Sequence, residues 1–397
     1  MKKLIQTLFL PMLISCSNHA FAQSVFYVRL GSPGSNDGSS WSKALAQFPA
    51  GMQRGATYFI AAGNYSKQTF SSPEAAAQTI TIKKATEADH GTTEGWQSGY
   101  GNGVAEFTGI AFESDWWVLD GGERSGPSSG YGIKVSNPED RVSTVSLPGK
   151  RSQITLRRVE LTGDPTLTNR GSGIYGVQAP SHIHVEYCYL HDFFGVPFHF
   201  IDASHVTIEH CLIARNKSTP EWHSEGIQAR GCTDLTVRYN TWEDINGTAV
   251  IVSGSGDSSG WSIHGNVFNR GDVGHGIVSD NMVDSIENVT VSGNIIIGHR
   301  GNAGMNFYKA KGRITVVDNV WYDNSWVSFS GIDTRDYNFF SRCRFPYAFK
   351  PQAHETPVKD GKDGKYSNEN APPFADMANG DFKLSQEALQ MLTREKK

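Results

Sequence analysis

One ten-residue pattern recurs seven times between residues 152 and 323. The copies read SQITLRRVEL, SHIHVEYCYL, SHVTIEHCLI, TDLTVRYNTW, SGWSIHGNVF, ENVTVSGNII and GRITVVDNVW. Superposition aligns one apolar position in steps of 29, 23, 29, 26, 28 and 25 residues, at Leu156, Val185, Ile208, Val237, Ile263, Val291 and Val316. A repeat of this length is typical of solenoid proteins, in which each unit buries its apolar face against its neighbours.

The composition of each copy indicates a β-strand followed by a turn. Apolar and polar residues alternate, Val, Ile, Thr, Tyr and Trp are frequent, and no copy contains a run long enough for an amphipathic helix. Three positions after the apolar column, the superposition aligns Val159, Cys188, Cys211, Asn240, Asn266, Asn294 and Asn319. Because coils of a parallel β-helix lie about 4.8 Å apart, aligned asparagines can hydrogen-bond along its axis. The sequence therefore predicts an all-β, single-stranded parallel β-helix.

The first 22 residues have the features of an export signal. They contain two lysines, an apolar run at 4–14 and an Ala-Phe-Ala site at 20–22. The segment ending at Cys16 also matches a bacterial lipobox, which would make the protein an outer-membrane lipoprotein anchored at Cys16. We therefore predict an exported protein. It is either periplasmic or extracellular after cleavage at Ala22, or anchored in the outer membrane through Cys16. No other segment approaches the roughly 20 apolar residues of a transmembrane helix.

The rest of the chain divides into three parts. Residues 23–75 are predicted to form an N-terminal strand and cap, 76–340 the β-helix, and 341–397 an irregular C-terminal cap with a last strand in ANGDFKLS and a short helix at 386–393. Stacking aims the side chains of Cys188 and Cys211 the same way, so we expect two packed thiols rather than a disulfide. A net charge of −4 does not indicate nucleic-acid binding. We expect a monomer.

The ladder, the coil length, the opening YVRLGSPGSNDGSSW and the ending GDFKLS resemble the right-handed parallel β-helix, pectate-lyase-like superfamily. The resemblance implies a right-handed helix and a polysaccharide partner. Pectate, alginate and chondroitin lyases share this scaffold with polygalacturonases, tailspikes and adhesins. The fold alone therefore does not decide the reaction.

A second strand precedes each ladder strand, and in lyases of this superfamily that sheet forms the floor of the sugar-binding groove. Taking alternate residues as outward predicts a surface that bears His199, Gln228, Arg230, Asp280, Asn306 and Tyr308. His223 and Glu225 are predicted at its rim, His275 one or two coils away and Lys309 at a subsite. The densest group of ionisable residues is WHSEGIQARG at 222–231.

Uronate β-elimination needs a group that neutralises the carboxylate, a base for the adjacent proton and a proton donor for the leaving oxygen. In chondroitinase B and related alginate lyases, a calcium-binding Glu precedes the catalytic Lys by five residues. Glu225 and Arg230 have this spacing, so the resemblance implies Glu225 as a Ca²⁺ ligand and Arg230 as catalytic. The chain departs from that pattern because Arg230 replaces the lysine and His223 stands where a second acidic ligand is expected.

These residues predict a polysaccharide lyase that acts on an acidic, uronate-containing polysaccharide. The predicted catalytic residues are Arg230, His199 and His223. The predicted substrate-binding residues are Gln228, His275, Asp280, Asn306, Tyr308 and Lys309. Two alternatives stay open: a non-catalytic glycan-binding or adhesin-like protein, and a glycoside hydrolase. A hydrolase would need two facing carboxylates, such as Asp280 with Glu225 or Asp202.

Overall fold

A computed structural model describes residues 24–73, 77–164, 166, 168, 170–217, 224–252, 255–271, 276–280, 284–346, 349–355, 373–376 and 381–386. The predicted export signal with Cys16, the residues His223 and His275, and the predicted helix beyond Gln386 lie outside the described residues.

Short strands dominate the described chain, with one 3₁₀ helix at Trp41–Lys43 and one helical turn, α1, at Ser98–Gly101. The strands are β1 Val25–Val28, β2 Thr57–Ile60, β3 Gly63–Tyr65, β4 Gln68–Phe70, β5 Ile80–Lys84, β6 Ala105–Phe107, β7 Ile110–Phe112, β8 Trp117–Asp120, β9 Ile133–Ser136, β10 Val145–Ser146, β11 Ser152–Arg157, β12 Val159–Thr162, β13 Ile174–Gly176, β14 Ser181–Glu186, β15 Tyr189–His191, β16 Phe198–Ile201, β17 Ser204–Glu209, β18 Leu212–Asn216, β19 Ile227–Arg230, β20 Thr233–Arg238, β21 Thr241–Ile245, β22 Val250–Val252, β23 Asp257–His264, β24 Val267–Gly271, β25 Val278–Asp280, β26 Ser285–Ser292, β27 Ile295–His299, β28 Met305–Phe307, β29 Ile314–Val317, β30 Val320–Tyr322, β31 Phe329–Ser330, β32 Thr334–Asp336, β33 Phe339–Ser341, β34 Phe374–Asp376 and β35 Asp381–Leu384.

Three long parallel sheets form the body of the molecule. Sheet 1 has 12 strands and contains the repeated pattern, in the order β1-β2-β5-β8-β11-β14-β17-β20-β23-β26-β29-β32. Sheet 2 has 11 strands, from β3 through β33, and sheet 3 has 10, from β4 through β31. From β2 onward, the chain visits sheets 1, 2 and 3 in turn, so each circuit forms one coil of a solenoid. The predicted fold class is confirmed.

The register of sheet 1 reproduces the predicted apolar column. Leu156 pairs with Val185, Val185 with Ile208, and the pairing continues through Val237 to Val316. These side chains are almost fully buried inside the coil. The column therefore supplies part of a continuous apolar core, which stabilises the fold because every coil removes apolar surface from water on both of its neighbours.

The asparagine ladder is confirmed and is one residue longer than predicted. Oδ1 of Asn266 accepts the backbone N–H of Asn240 at 3.0 Å, and Oδ1 of Asn294 accepts that of Asn266 at 2.9 Å. The series continues through Asn319 to Asn338. Each buried amide also donates to a backbone carbonyl, so polar groups inside the turn are satisfied. The four described cysteines are free and buried, as the packed-thiol prediction for Cys188 and Cys211 requires.

A left-handed residue precedes each ladder position and turns the chain from sheet 1 into sheet 2. Its φ is 54° at Tyr187 and His210, 56° at Tyr239 and 66° at Gly265. Such a conformation is disfavoured for most residues, and glycine adopts it without steric cost. At this corner the rings of Tyr187 and His210 stack, with centroids 4.8 Å apart.

The two ends of the solenoid are covered differently. Near the N-terminus, Trp41 packs against Tyr27, and Lys84 is buried beneath the early coils. Near the C-terminus, the antiparallel pair β34–β35 lies on the outer face of sheet 2, where Phe374 contacts Tyr322. No described helix is long and apolar enough to cross a membrane.

Candidate functional site

A polar patch on sheet 3 brings together several of the predicted site residues. In β16, Phe198 and Phe200 are buried while His199 between them is half-buried, so His199 faces outward. His199 pairs in register with Tyr175 of β13 on one side and with Gln228 of β19 on the other. Tyr175, His199 and Gln228 therefore form one outward column across three adjacent coils.

Arg230 lies beside this column. It is two residues beyond Gln228 on β19, hence on the same face of the sheet, and it pairs in register with Ile201. The Nε atom of Arg230 and the Nε2 atom of His199 are both buried, and neither has a hydrogen-bond partner among the described residues. Buried polar groups are nearly always hydrogen-bonded, so two unpaired nitrogens on neighbouring strands make this patch a candidate binding surface.

The environment keeps His199 uncharged at neutral pH. Burial lowers the pKa of His199 to about 4, and the positive charge of Arg230 lowers it in the same direction. The ring of Tyr175 meets the imidazole edge-to-face, with centroids 5.1 Å apart and planes at 88°. The patch therefore holds a neutral imidazole between a phenol and a guanidinium.

Glu225 precedes β19 and is only 3% exposed. Its backbone carbonyl accepts a hydrogen bond from the Asn216 amide at 3.3 Å. Calcium takes six to eight oxygen ligands, usually including several carboxylates. Among the described residues, Glu225 belongs to no group of three or more carboxylate, imidazole or thiol ligands. The described residues around Glu225 thus do not provide the ligand set that calcium requires.

The described residues contain one such three-ligand group, on a different surface. His184, Glu186 and Glu209 lie on the outer face of sheet 1, with their ligand atoms within 4.8 Å of one another. Both carboxylates already face arginines: Arg238 Nε lies 2.7 Å from Glu209, and Arg157 Nε lies 3.5 Å from Glu186. This cluster is a surface ion-pair network, and the two guanidinium groups would repel a cation.

The remaining predicted substrate residues are distributed along sheet 3. Asn306 continues the column of His199 and Gln228, but it is buried and its amide is bonded to Ser328 and Ser330. Tyr308 and Lys309 follow β28 and are exposed. Asp280 pairs with Val252 and Phe307, one residue away from the column of Gln228 and Asn306. The register thus aligns Asp280 with Val252 and Phe307, whereas the sequence predicted it in one row with Gln228 and Asn306.

Asp280 is displaced because the loops between sheet 3 and sheet 1 differ in length. Two residues separate β19 from β20, whereas four separate β25 from β26. Alternation along the strand therefore does not by itself fix the register of β25. Tyr175 was missed as well, although IYG of β13 aligns with FHF of β16.

A separate cavity of about 880 Å³ lies along the corner that follows sheet 2. Its lining includes Arg215 and Asp192, which are paired at 2.8 Å, and Arg270, which lies 3.5 Å from Glu243.

Comparison with known families supports the architecture. The family described as "Right handed beta helix region" matches residues 128–321, which hold β9 to β29 and part of β30. The chain folds as a right-handed parallel β-helix. A second family, described as "Subtilase family", matches residues 3–189. Described helices in that range are limited to Trp41–Lys43 and Ser98–Gly101, so the α/β fold of a subtilase is not formed by the described residues there.

Solved structures similar to this β-helix include two lyases. Pectate lyase Pel9A is 11% identical, with a TM-score of 0.39, and the alignment covers 92% of this chain and 90% of that chain. The PL6 family polysaccharide lyase Pedsa3628 from Pseudopedobacter saltans is 12% identical, with a TM-score of 0.43 and coverage of 91% and 90%. No curated protein matches the chain.

Proposed function

We propose that this β-helix is an exported, carbohydrate-active enzyme that cleaves an acidic, uronate-containing polysaccharide by β-elimination on the outer face of sheet 3. The observation that carries the proposal is the neutral His199 beside Arg230: in the described part of the chain, neither the buried Nε2 of His199 nor the Nε of Arg230 has a hydrogen-bond partner. An uncharged base next to a fixed cation is the pair of groups that removal of a proton adjacent to a carboxylate requires.

The guanidinium of Arg230 binds the uronate carboxylate. Arginine stays protonated and presents several donors, so it suits this role better than that of a base. Because the guanidinium neutralises the negative charge of the carboxylate, the hydrogen on C5 becomes more acidic. Nε2 of His199 accepts that proton, the electron pair forms the C4–C5 double bond, and the bond from C4 to the glycosidic oxygen breaks.

Substrate binding strengthens the base. The charge of Arg230 is one of two causes that lower the pKa of His199 in the free protein. A bound carboxylate offsets that charge, so the pKa of His199 rises towards the range in which a general base is efficient. The site thus becomes more basic only when an acidic sugar occupies it.

The proposal is tested by incubating the purified protein with alginate, pectate, chondroitin and hyaluronan. The expected product is an unsaturated uronate, detected by its ultraviolet absorbance. Arg230→Gln should lower the rate by about 10²-fold or more. Arg238→Gln, a change on sheet 1, is the matched control and should retain activity. Absence of unsaturated product on every polymer, or full activity of Arg230→Gln, would contradict the proposal.

The same assay separates the alternatives. A non-catalytic glycan-binding protein would retain polymer without releasing product. A glycoside hydrolase would release reducing ends without unsaturation, and it would need two facing carboxylates. The described strand positions in the column from Tyr175 to Asn306 include no Asp or Glu, so a hydrolase would have to take its carboxylates from outside this column.

A further inference from the structure

We propose that Tyr175 donates the proton to the leaving oxygen, and that the enzyme therefore selects uronates whose C4 oxygen and C5 hydrogen lie on the same side of the sugar ring. This inference rests on the proposed lyase function. It adds a catalytic residue and a stereochemical class of substrate, both of which follow from the position of Tyr175 beside His199.

The first step in the argument is the position of Tyr175. It lies between buried Ile174 and buried Gly176 in β13 and is half-buried itself, so its ring faces outward. It pairs in register with His199, one strand spacing of about 4.8 Å away. Within the described structure its hydroxyl has no hydrogen-bond partner. The phenol is therefore free to bind a group that lies over the sheet.

The second step concerns the other outward groups near His199. Gln228 and Ile201 cannot donate a proton in this reaction, and Arg230 holds its protons too tightly to be an efficient acid. A phenol is a stronger acid than the sugar alcohol that leaves. Among the described outward residues of β13, β16 and β19, Tyr175 is thus the one suited to protonate the leaving oxygen.

The reaction balances with these two groups alone. Nε2 of His199 takes the C5 proton, the C4–C5 double bond forms, the C4–O bond breaks and Tyr175 Oη gives its proton to the departing oxygen. The products are an unsaturated uronate and a sugar hydroxyl. The imidazolium and the phenolate then exchange a proton, which restores both groups, and their ring contact of 5.1 Å places them side by side for this step.

The substrate class follows because both groups act from one face of sheet 3. A sugar lying over the sheet presents one side to His199 and Tyr175 together. Proton removal and protonation of the leaving group then occur on that side, which is syn elimination. In D-glucuronate and D-mannuronate the C4 oxygen and the C5 hydrogen are on the same side of the ring. In D-galacturonate, L-guluronate and L-iduronate they are on opposite sides.

A panel of polymers of known configuration tests the substrate class. We expect unsaturated product from poly-D-mannuronate or from the glucuronate polymer hyaluronan, at a rate at least about 10²-fold above that on polygalacturonate and poly-L-guluronate. A preference for either of the latter two would overturn this inference while leaving the lyase function in place. No product from any polymer would contradict the proposed function itself.

A change of leaving group tests Tyr175. Tyr175→Phe keeps the ring and should lower kcat on the polymer by about 10²-fold or more, with KM little changed. A 4-deoxy-4-fluoro uronoside releases fluoride, which needs little protonation, so the variant should release fluoride within about tenfold of the wild-type rate. His199→Ala should be inactive on both substrates, because both reactions need the base that removes the C5 proton.

The matched control is Tyr239→Phe, at an exposed corner tyrosine between sheets 1 and 2, which should behave as wild type. Equal loss on both substrates, or no loss on the polymer, would show that Tyr175 is not the proton donor.

Discussion

The side-chain amide of Asn338 donates a hydrogen bond of 2.9 Å to the buried carboxylate of Glu355, and this contact ends the asparagine ladder. The same carboxylate accepts Arg335 Nε at 3.1 Å and the backbone N–H of Gln352 at 2.8 Å. The guanidinium of Arg335 lies 4.8 Å from the ring centroid of Phe329. A buried ion pair thus closes the C-terminal end of the β-helix.

We expect Glu355→Ala to lower the free energy of unfolding by about 3–5 kcal/mol, because it leaves Arg335 without its buried partner. Glu355→Gln should cost less, since its amide oxygen can still accept from Asn338. Urea unfolding measures both. Glu243→Ala, which removes an exposed pair with Arg270, is the control and should change the value by less than about 0.5 kcal/mol. Equal effects at the two sites would argue against the end-cap role.

Asn266 lies at the middle of the ladder and is fully buried. Asn266→Ala removes the acceptor of the Asn240 N–H and the donor to the Val237 carbonyl. Each unsatisfied buried group costs about 1–3 kcal/mol, so we expect a total loss of about 3 kcal/mol in urea unfolding. Ser262→Ala, at a half-buried outward position of the same coil, should be nearly neutral. A ladder that contributes only packing would give similar values for both variants.

Lys84 should make stability depend on pH. It is 1% exposed, its Nζ donates to the carbonyls of Ala85, Tyr100 and Gly101, and burial lowers its pKa from 10.5 to about 8. Between pH 8 and 10.5 the unfolded chain holds this proton and the folded chain does not. Stability therefore rises with pH across that window, by up to about 3 kcal/mol.

Urea unfolding at pH 7 and pH 10 tests the role of Lys84. The gain in the free energy of unfolding between pH 7 and pH 10 should be smaller in Lys84→Met, which lacks the buried amine. The gain should be unchanged in Lys83→Met, which alters a surface ion pair on the same strand. If the two variants showed the same pH dependence, burial of Lys84 would not be its source.

The charge of Arg230 should be measurable at His199. An NMR titration of the imidazole should give a pKa of about 4 in the wild type. Arg230→Gln should raise it, though not to 6.5, because burial is the larger cause. Arg238→Gln is the control: it removes a charge that lowers the pKa of His264 and should leave His199 unchanged. The pH profile of kcat reports the pKa of His199 in the substrate complex, and that of kcat/KM its pKa in the free enzyme. Because a bound carboxylate offsets the charge of Arg230, the acid limb of the kcat profile should lie at the higher pH.

Repeating positions were predictable from the amino-acid sequence alone. The column from Leu156 to Val316 and the ladder from Cys211 to Asn319 appear in a superposition because each coil imposes the same alternation and the same turn residues. Asn338 was missed because it follows Asn319 after only 19 residues, where the repeat shortens.

The site could be predicted only in part. Outward positions on β16 and β19 follow from alternation, so His199, Gln228 and Arg230 were identified correctly as neighbours on one face. Tyr175 was missed and Asp280 was predicted in a different register, because the registers of these strands depend on loop lengths that vary from coil to coil.

By itself, the sequence determined the solenoid, since periodicity and strand alternation are local properties of the chain. The tertiary structure alone decided which polar atoms are buried without a partner, which imidazole is held neutral and which residue pairs with His199 across the coils. Those properties arise between strands more than 20 residues apart, where burial and charge depend on the neighbouring coil.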